Sequence, residues 1–233
     1  MSGWSWSGFF GYFASPYLLG GAGLTLALTG ATLALGLLLG LVLALFRQSG
    51  VRVLAGIAAL HIWLFRGTPL LVQLIIIYTG LPQLGLPRLS VWQSALLGLV
   101  LNEAAYLAEI LRSGILSVPA GQRDAAQALG LRRWQGFVLV VAPQALRVII
   151  PALGNSVNGL LKTTSITSVI SMEELLRRGQ ILMQQRFEVM EVFCCVAVIY
   201  LAMTTAWDLV QRRIERRFGR GYGPDPELAR DAR

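Results

Sequence analysis

Charged residues are scarce in this chain of 233 residues, at 14%, whereas hydrophobic residues make up 55% and the mean hydropathy is +0.62. A typical soluble domain is about 25% charged. This shortage excludes a disordered chain and an ordinary soluble domain. It also argues against nucleic acid as a partner, although the net charge is +8, because basic residues in so apolar a chain mark the cytoplasmic ends of membrane helices. The composition predicts a polytopic inner-membrane protein surrounded by membrane lipid.

Residues that carry metal or nucleotide chemistry are also rare. His61 is the only histidine, and Cys194 and Cys195 are the only cysteines. The sequence therefore offers no histidine metal cluster, no CxxC site and no disulfide framework. The only lysine, Lys162, follows leucine, whereas a phosphate-binding loop needs a lysine between glycine and Ser or Thr. We expect no cofactor in this chain and no ATP hydrolysis by it.

Five apolar runs are long enough to cross a membrane, which takes about 20 residues. They cover residues 18–46, 53–81, 91–115, 136–161 and 189–209. Breaks are expected within two of them, at Arg66, Gly67 and Pro69 in the second and at Pro143, Pro151 and Gly154 in the fourth. The pattern predicts an all-α membrane protein with five transmembrane helices. We expect one domain over residues 1–233, with a core at 18–217 and a polar tail at 218–233.

Arginines lie mainly on one side of these five runs. That side receives Arg47, Arg52, Arg112, Arg123, Arg132 and Arg133, and then the arginines of the tail. The other side receives the uncharged N-terminus, Arg88, Arg177, Arg178 and Arg186. The side richer in arginine is expected to be cytoplasmic. The N-terminus is therefore predicted outside and the C-terminus inside.

A polar segment follows the third run and is expected to form a short helical hairpin on the cytoplasmic side. Ser117 is expected to cap its first helix, with Pro119 in the first turn. Gly130 is placed to end that helix in a left-handed conformation. Small side chains such as Ala125 and Ala126 would let the surface of another protein approach closely.

A spaced motif runs through this hairpin: Asp124-Ala125-Ala126, then Gly130, then Val140-x-Ala142-Pro143. It resembles the EAA loop of binding-protein-dependent ABC import permeases, whose pattern is Glu-Ala-Ala-x3-Gly-x9-Ile-x-Leu-Pro, and every spacing agrees. Asp124 and Val140 keep the chemistry of the family residues, whereas Ala142 replaces a leucine. Four further segments are similar to permeases of polar amino-acid importers, at residues 65–73, 104–110, 143–147 and 151–155. The resemblance covers about residues 20–217.

The resemblance implies a type I ABC importer permease fold with a coupling helix between the third and fourth spans. Two such subunits would pair as a homodimer or heterodimer, two separate ATPase subunits would bind ATP and Mg, and an extracytoplasmic binding protein would deliver a polar amino acid. In such an assembly the loop at 118–135 would dock on the ATPase and rock the bundle between inward-facing and outward-facing states. The coupling residues carried over are Asp124, Ala125, Ala126 and Gly130.

Polar residues within the apolar runs are candidates for the substrate path, because such residues are costly in a membrane. Asn102, Tyr106 and Glu109 recur on one helix face, and Glu103 is expected to flank that face. The alternative for Glu109 is an ion pair that holds helices together, with Arg66, Arg112 or Arg147 as its partner. The remaining candidates follow proline or glycine interruptions and are Thr68, Gln73, Asn155, Asn158 and Lys162. A simple proline kink is the alternative for Thr68 and Gln73.

Three functions remain to be weighed. The first is a permease subunit that imports a polar amino acid by alternating access, powered by separate ATPases. The second is a secondary transporter driven by an ion gradient, but such proteins usually have more helices and paired repeats. The third is a membrane-embedded enzyme, for which the chain lacks a nucleophile or metal constellation. We expect a non-catalytic subunit of the first kind.

Overall fold

The computed structural model describes residues 4–218, which fold into helices joined by short turns. The helices are α1 (Trp6–Phe13), α2 (Pro16–Gln48), α3 (Arg52–Gly67), α4 (Leu70–Ile75), α5 (Leu81–Gln83), α6 (Val91–Leu116), α7 (Ala120–Ala128), α8 (Arg133–Gly136), α9 (Ala142–Thr163), α10 (Leu175–Arg186) and α11 (Val189–Phe218). π-helical turns follow α4 (Ile76–Gly80) and α8 (Phe137–Val141), and a 3-10 helix follows α9 (Thr164–Ile170). The polar tail predicted from the sequence lies, beyond Phe218, outside the described residues.

Four helical segments in this part of the chain are long and apolar enough to cross a membrane: Pro16–Gln48, Val91–Leu116, Arg133–Ile170 and Val189–Phe218. The pair Arg52–Gly67 and Leu70–Gln83 meets the same criteria only together and is bent by 105°. The number of spans is therefore four, or five if the bent pair is one span. The predicted all-helical architecture is confirmed, and the second predicted span is a bent pair.

Small residues bring α2 into close contact with α6. A Cβ added to Gly40 would lie 3.0 Å from the Cβ of Leu107 and 3.1 Å from the carbonyl oxygen of Ala104. Because lipid removes the hydrophobic drive for helices to associate, spans rely on such close packing over small residues. α6 also packs against α3 and α9, so it occupies the centre of the bundle.

The bend between α3 and α4 is set by Pro69, which disfavours a helical conformation at the residue before it. Thr68 is accordingly extended, with φ −123° and ψ 148°. Its Oγ1 donates to the carbonyl of Leu64 at 2.8 Å, and Gln73 Nε2 donates to that of Phe65 at 3.0 Å. These bonds satisfy carbonyl groups that the break releases, as a membrane-spanning segment requires.

The expected breaks in the fourth span are absent from the structure, so that prediction was wrong. Pro143 lies in the first turn of α9, and Pro151 lies inside the helix. Gly154 is also helical, and its carbonyl accepts a hydrogen bond of 2.8 Å from Nε1 of Trp207. Prolines are tolerated in membrane helices where neighbouring groups satisfy the backbone. The segment Arg133–Ile170 therefore remains one long span.

Candidate functional site

Between α6 and α9 the chain forms a helical hairpin, residues 118–136, made of α7, a turn and α8. Gly130 follows α7 with φ +76°. Leu131 N donates to the carbonyl of Ala126 at 3.1 Å, and Gly130 N donates to that of Gln127 at 2.9 Å. Together these bonds form the Schellman motif, which places a residue in the left-handed region that glycine tolerates best. The left-handed end predicted at Gly130 is confirmed.

The start of α7 differs from the sequence prediction, which placed Ser117 at its cap. Pro119 precedes the first helical residue and makes no side-chain capping bond. Ser117 instead ends α6, because its Oγ donates to the carbonyl of Gly114 at 2.7 Å. Val118 is then buried in a cluster with Ile149 of α9. The Ser117 hydroxyl is thus bonded within α6, and Pro119 stands at the start of α7.

The outward surface of the hairpin carries three of the four predicted coupling residues. Asp124, Ala125 and Gly130 are exposed, and Leu129 beside them is 80% exposed. Ala126 is buried, and its Cβ lies 3.4 Å from the position that a Cβ on Gly136 would take. The expectation that Ala126 offers a small side chain to another protein was therefore wrong, because it packs α7 onto the turn that begins the fourth span.

A cavity of about 230 Å³ lies between the hairpin and the ends of α2 and α6. Its charged lining consists of Arg123, Arg132 and Arg133, and Gln48 reaches it from α2. Arg123 Nη2 also donates to the carbonyl of Ile115 at 2.9 Å. No pattern in the sequence pointed to Gln48, because only the packing of distant segments brings this residue to the hairpin.

Three of the predicted substrate-path residues meet at the bend between α3 and α4. Gln73 Nε2 donates to Thr68 Oγ1 at 2.8 Å. Asn102 Nδ2 donates to Gln73 Oε1 at 3.1 Å and to the carbonyl of Phe65 at 3.0 Å. The bend is thus tied to α6 by amide groups. In this state the three side chains bind one another, and their contact with a substrate stays a prediction.

Tyr106 and Glu109 face the same side of α6 and meet arginines. Arg112 Nη2 donates to Glu109 Oε2 at 2.7 Å, and Nη1 of Arg66 lies 4.0 Å from the same oxygen. The Arg66 guanidinium also lies 5.3 Å from the centroid of the Tyr106 ring. The alternative predicted for Glu109 is thus present in part: the pair with Arg112 lies within α6, and only the pair with Arg66, at 4.0 Å, links α6 to α3.

Glu103 lies three residues before Tyr106 on α6, and its side chain meets α2 and α9. Ser156 Oγ of α9 donates to Glu103 Oε1. A Cβ on Gly36 of α2 would lie 3.6 Å from the Cβ and Cγ of Glu103. Adjacent helix residues are about 100° apart, and this rotation turns Glu103 from α3 and α4 towards α2 and α9.

The other candidates lie along α9, facing α11. Asn158 Nδ2 donates to Asp208 Oδ1 at 2.6 Å, and Gln211 Nε2 lies 3.4 Å from Asn155 Oδ1. Lys162 is exposed at the end of α9. The nine predicted path residues therefore divide between two sides of α6. One group ties α6 to the bent pair, and the other lies at the contacts of α9 with α6 and α11.

A bundle of long apolar helices with a polar hairpin at one end defines a class of protein, the polytopic membrane proteins. The chain belongs to the family of binding-protein-dependent transport system inner membrane components, whose model matches residues 36–220. That family comprises the non-catalytic membrane permease subunits of ABC transporters.

Individual relatives agree with this family. The glutamine transport system permease protein GlnP of Escherichia coli K12 is 38% identical over 88% of this chain and 94% of its own length. The octopine transport system permease protein OccM of Rhizobium radiobacter is 43% identical over 80% of this chain and 79% of its own. A chain in the crystal structure of an amino acid ABC transporter with histidines superimposes with a TM-score of 0.86. It is 35% identical and covers 93% of this chain and 100% of that one.

Proposed function

We propose that this chain is the permease subunit of an ATP-driven importer that moves a polar amino acid across the inner membrane by alternating access. Family membership over most of the chain carries the proposal. The relatives named for glutamine and octopine and the likeness to a solved amino acid transporter support an amino acid as the cargo. The same proposal makes the subunit non-catalytic, because separate ATPase subunits bind and hydrolyse ATP.

The hairpin is the part of the chain that we assign to contact with the ATPase. Its exposed residues combine one carboxylate, Asp124, with an apolar side chain, Leu129. An exposed apolar residue with a polar rim is typical of a protein contact surface. The hairpin also continues into α9 through Gly136, so a force on it reaches a span directly. We therefore take α7 as the coupling helix.

The assembly that follows contains two ATPase subunits, a second permease subunit and an extracytoplasmic amino-acid-binding protein. It places the hairpin and the C-terminus in the cytoplasm and the N-terminus outside, in accord with the distribution of arginine. ATP and Mg belong to the ATPase subunits. Within the bundle, the substrate path is assigned to the polar groups on the two sides of α6. Those groups would exchange their present mutual bonds for bonds to substrate as the bundle changes state.

A pair of glycine variants tests the coupling role of the hairpin. Gly130→Val places a branched side chain at φ +76° and should distort the turn, whereas Gly121→Val, in α7, is the matched control. A Cβ at either glycine would meet no atom within 4 Å, so only the backbone conformation separates them. We expect Gly130→Val to lose co-purification with the ATPase and ATP-dependent uptake, and Gly121→Val to retain both.

Uptake by the Gly130→Val assembly equal to that of the control would contradict the coupling role. The energy source is tested separately in whole cells by measuring uptake of labelled amino acid. ATP depletion should abolish uptake, and an uncoupler applied with ATP maintained should leave it intact. The reverse result would favour the ion-gradient transporter.

A further inference from the structure

The last turns of α11 separate their acids from most of their arginines. On the side that faces the bundle, Asp208 accepts a hydrogen bond of 2.6 Å from Asn158, and Glu215 accepts one of 2.7 Å from Gln211. Leu209, Arg213 and Arg216 recur at positions i, i+4 and i+7, which share another face of the helix. Asp208 and Glu215 are thus hydrogen-bonded to amide groups and form no ion pair with these arginines.

The outward face forms a shallow groove of about 440 Å³, here called the α11 groove. Its lining residues are Ala206, Leu209, Val210, Arg212, Arg213 and Arg216. Leu209 is 60% exposed and Val210 is 47% exposed. The groove therefore has two halves. Ala206, Leu209 and Val210 form an apolar half, and the guanidinium groups of Arg212, Arg213 and Arg216, nearer the end of the helix, form a basic half.

No carboxylate among residues 4–218 lies within 4.0 Å of the three arginines, since the ion pairs of this part of the chain all involve Glu109. A favourable interaction with the helix dipole does not account for the position of all three arginines either. Its effect is confined to the last turn, and Arg212 and Arg213 lie more than one turn before Phe218. The three exposed guanidinium groups are therefore unpaired with any carboxylate of residues 4–218 and open to a ligand.

We propose that the α11 groove binds the headgroup of an anionic phospholipid, with the phosphate on the guanidinium groups and an acyl chain along Leu209 and Val210. Arginine suits this role because its planar fork of donors matches the oxygens of a phosphate. Basic residues directly beside a membrane span attract anionic lipid. A phospholipid supplies both the charge and the apolar surface that the groove requires, whereas a free phosphate would leave Leu209 and Val210 in contact with water.

Lipid binding to the purified full-length chain in neutral detergent tests this site. Fluorescent phosphatidylglycerol is titrated into the native protein and into a triple variant, Arg212→Gln, Arg213→Gln and Arg216→Gln. We expect the dissociation constant to rise at least about tenfold in the variant, given the contribution of each arginine near anionic lipid. The charge-matched control replaces Arg52, Arg88 and Arg133, which lie in three other exposed segments, and should change it less than about threefold.

Three further arms decide the nature of the ligand. Phosphatidylcholine and soluble glycerol phosphate should both fail to compete with the probe, and competition by glycerol phosphate would overturn the lipid assignment. Equal losses in the triple variant and the control would reduce the site to general charge and overturn it as well. Unchanged lipid affinity with lost co-purification of the ATPase would assign the groove to a protein partner instead. The single variant Arg216→Gln, with an expected intermediate loss, serves if the triple variant does not fold.

Discussion

At the end of the bundle that contains α10, buried polar bonds hold the chain, whereas at the hairpin end the polar side chains are mostly exposed. Glu174 is completely buried. Its carboxylate accepts hydrogen bonds from the backbone of Leu176 and Arg177 and one of 2.7 Å from the hydroxyl of Tyr200. At the opposite end, Asp124 has no such bonds within residues 4–218 and is exposed. The hairpin precedes α9 and α10 follows it in the chain.

The side chain of Arg178 also joins α10 to the start of α2. Arg178 Nη1 donates to the carbonyl of Tyr17 at 2.8 Å, and its guanidinium lies 4.8 Å from the centroid of the Tyr17 ring. Burial raises the pKa of the Glu174 carboxyl, and its hydrogen bonds oppose that rise. The two ends therefore differ in that buried hydrogen bonds hold the α10 end, whereas the polar side chains of the hairpin end are mostly exposed.

The largest effect is expected at Glu174, where the change to Ala removes the cap of α10 and leaves the Tyr200 hydroxyl without its acceptor. A lost cap costs about 1 kcal/mol, and an unsatisfied buried donor costs about 2 kcal/mol. We expect the free energy of unfolding to fall by about 3 kcal/mol, measured by thermal unfolding in detergent. Glu173→Ala is the control, because that side chain is exposed. If Glu174→Ala were as stable as Glu173→Ala, the buried hydrogen bonds of Glu174 would not stabilise the α10 end.

A smaller loss is expected where α10 crosses α2. A Cβ at Gly21 would lie 3.0 Å from the Cα of Leu175 and 2.9 Å from the Cδ of Arg178. Gly21→Val must therefore separate the helices, at a cost of about 2 kcal/mol. Gly23→Val, in the same helix, meets nothing within 4 Å and shares the same change in helix propensity. A similar melting temperature for both variants would show that the α10 end is not closely packed.

The helical spans could largely be predicted from the sequence, because the length of an apolar run depends on local composition. The prediction failed where packing decides the outcome. Pro151 remains helical because neighbouring segments support the helix. Ser117 does not cap α7, because its hydroxyl bonds to the carbonyl of Gly114 at the end of α6.

The candidate site was predicted more unevenly. Gly130 was identified correctly because its left-handed conformation follows from the local spacing of the motif. For Glu103, helical periodicity gives a position beside Tyr106 but not which neighbouring helix the side chain meets. Its contact with Ser156 depends on how α9 packs against α6, and a single sequence does not carry that information.

At the hairpin end, Arg123→Ala should loosen the hairpin without unfolding the bundle. The change removes the bond of 2.9 Å to the carbonyl of Ile115, which contributes about 1 kcal/mol at an exposed site. We expect amide hydrogen exchange in α7 to accelerate about fivefold, while exchange in α10 stays unchanged. Arg133→Ala is the control, since it removes an exposed arginine of the same hairpin. Faster exchange in α10 as well would mean that the two ends are not independent.

The smallest effect concerns α1, which is attached beside the α10 end by Tyr12. The Tyr12 hydroxyl donates to Glu188 Oε2 at 2.5 Å, and burial together with this bond raises its pKa from 10.0 to about 12. Because the folded state holds the proton more tightly, this stabilisation is complete below pH 10 and is lost as the pH rises towards 12. Tyr12→Phe should cost about 1 kcal/mol at neutral pH and remove one late-titrating tyrosine from the ultraviolet absorbance titration. If the titration of Tyr12→Phe matched that of the native protein, the bond to Glu188 would not hold the Tyr12 proton and α1 would be attached by other contacts.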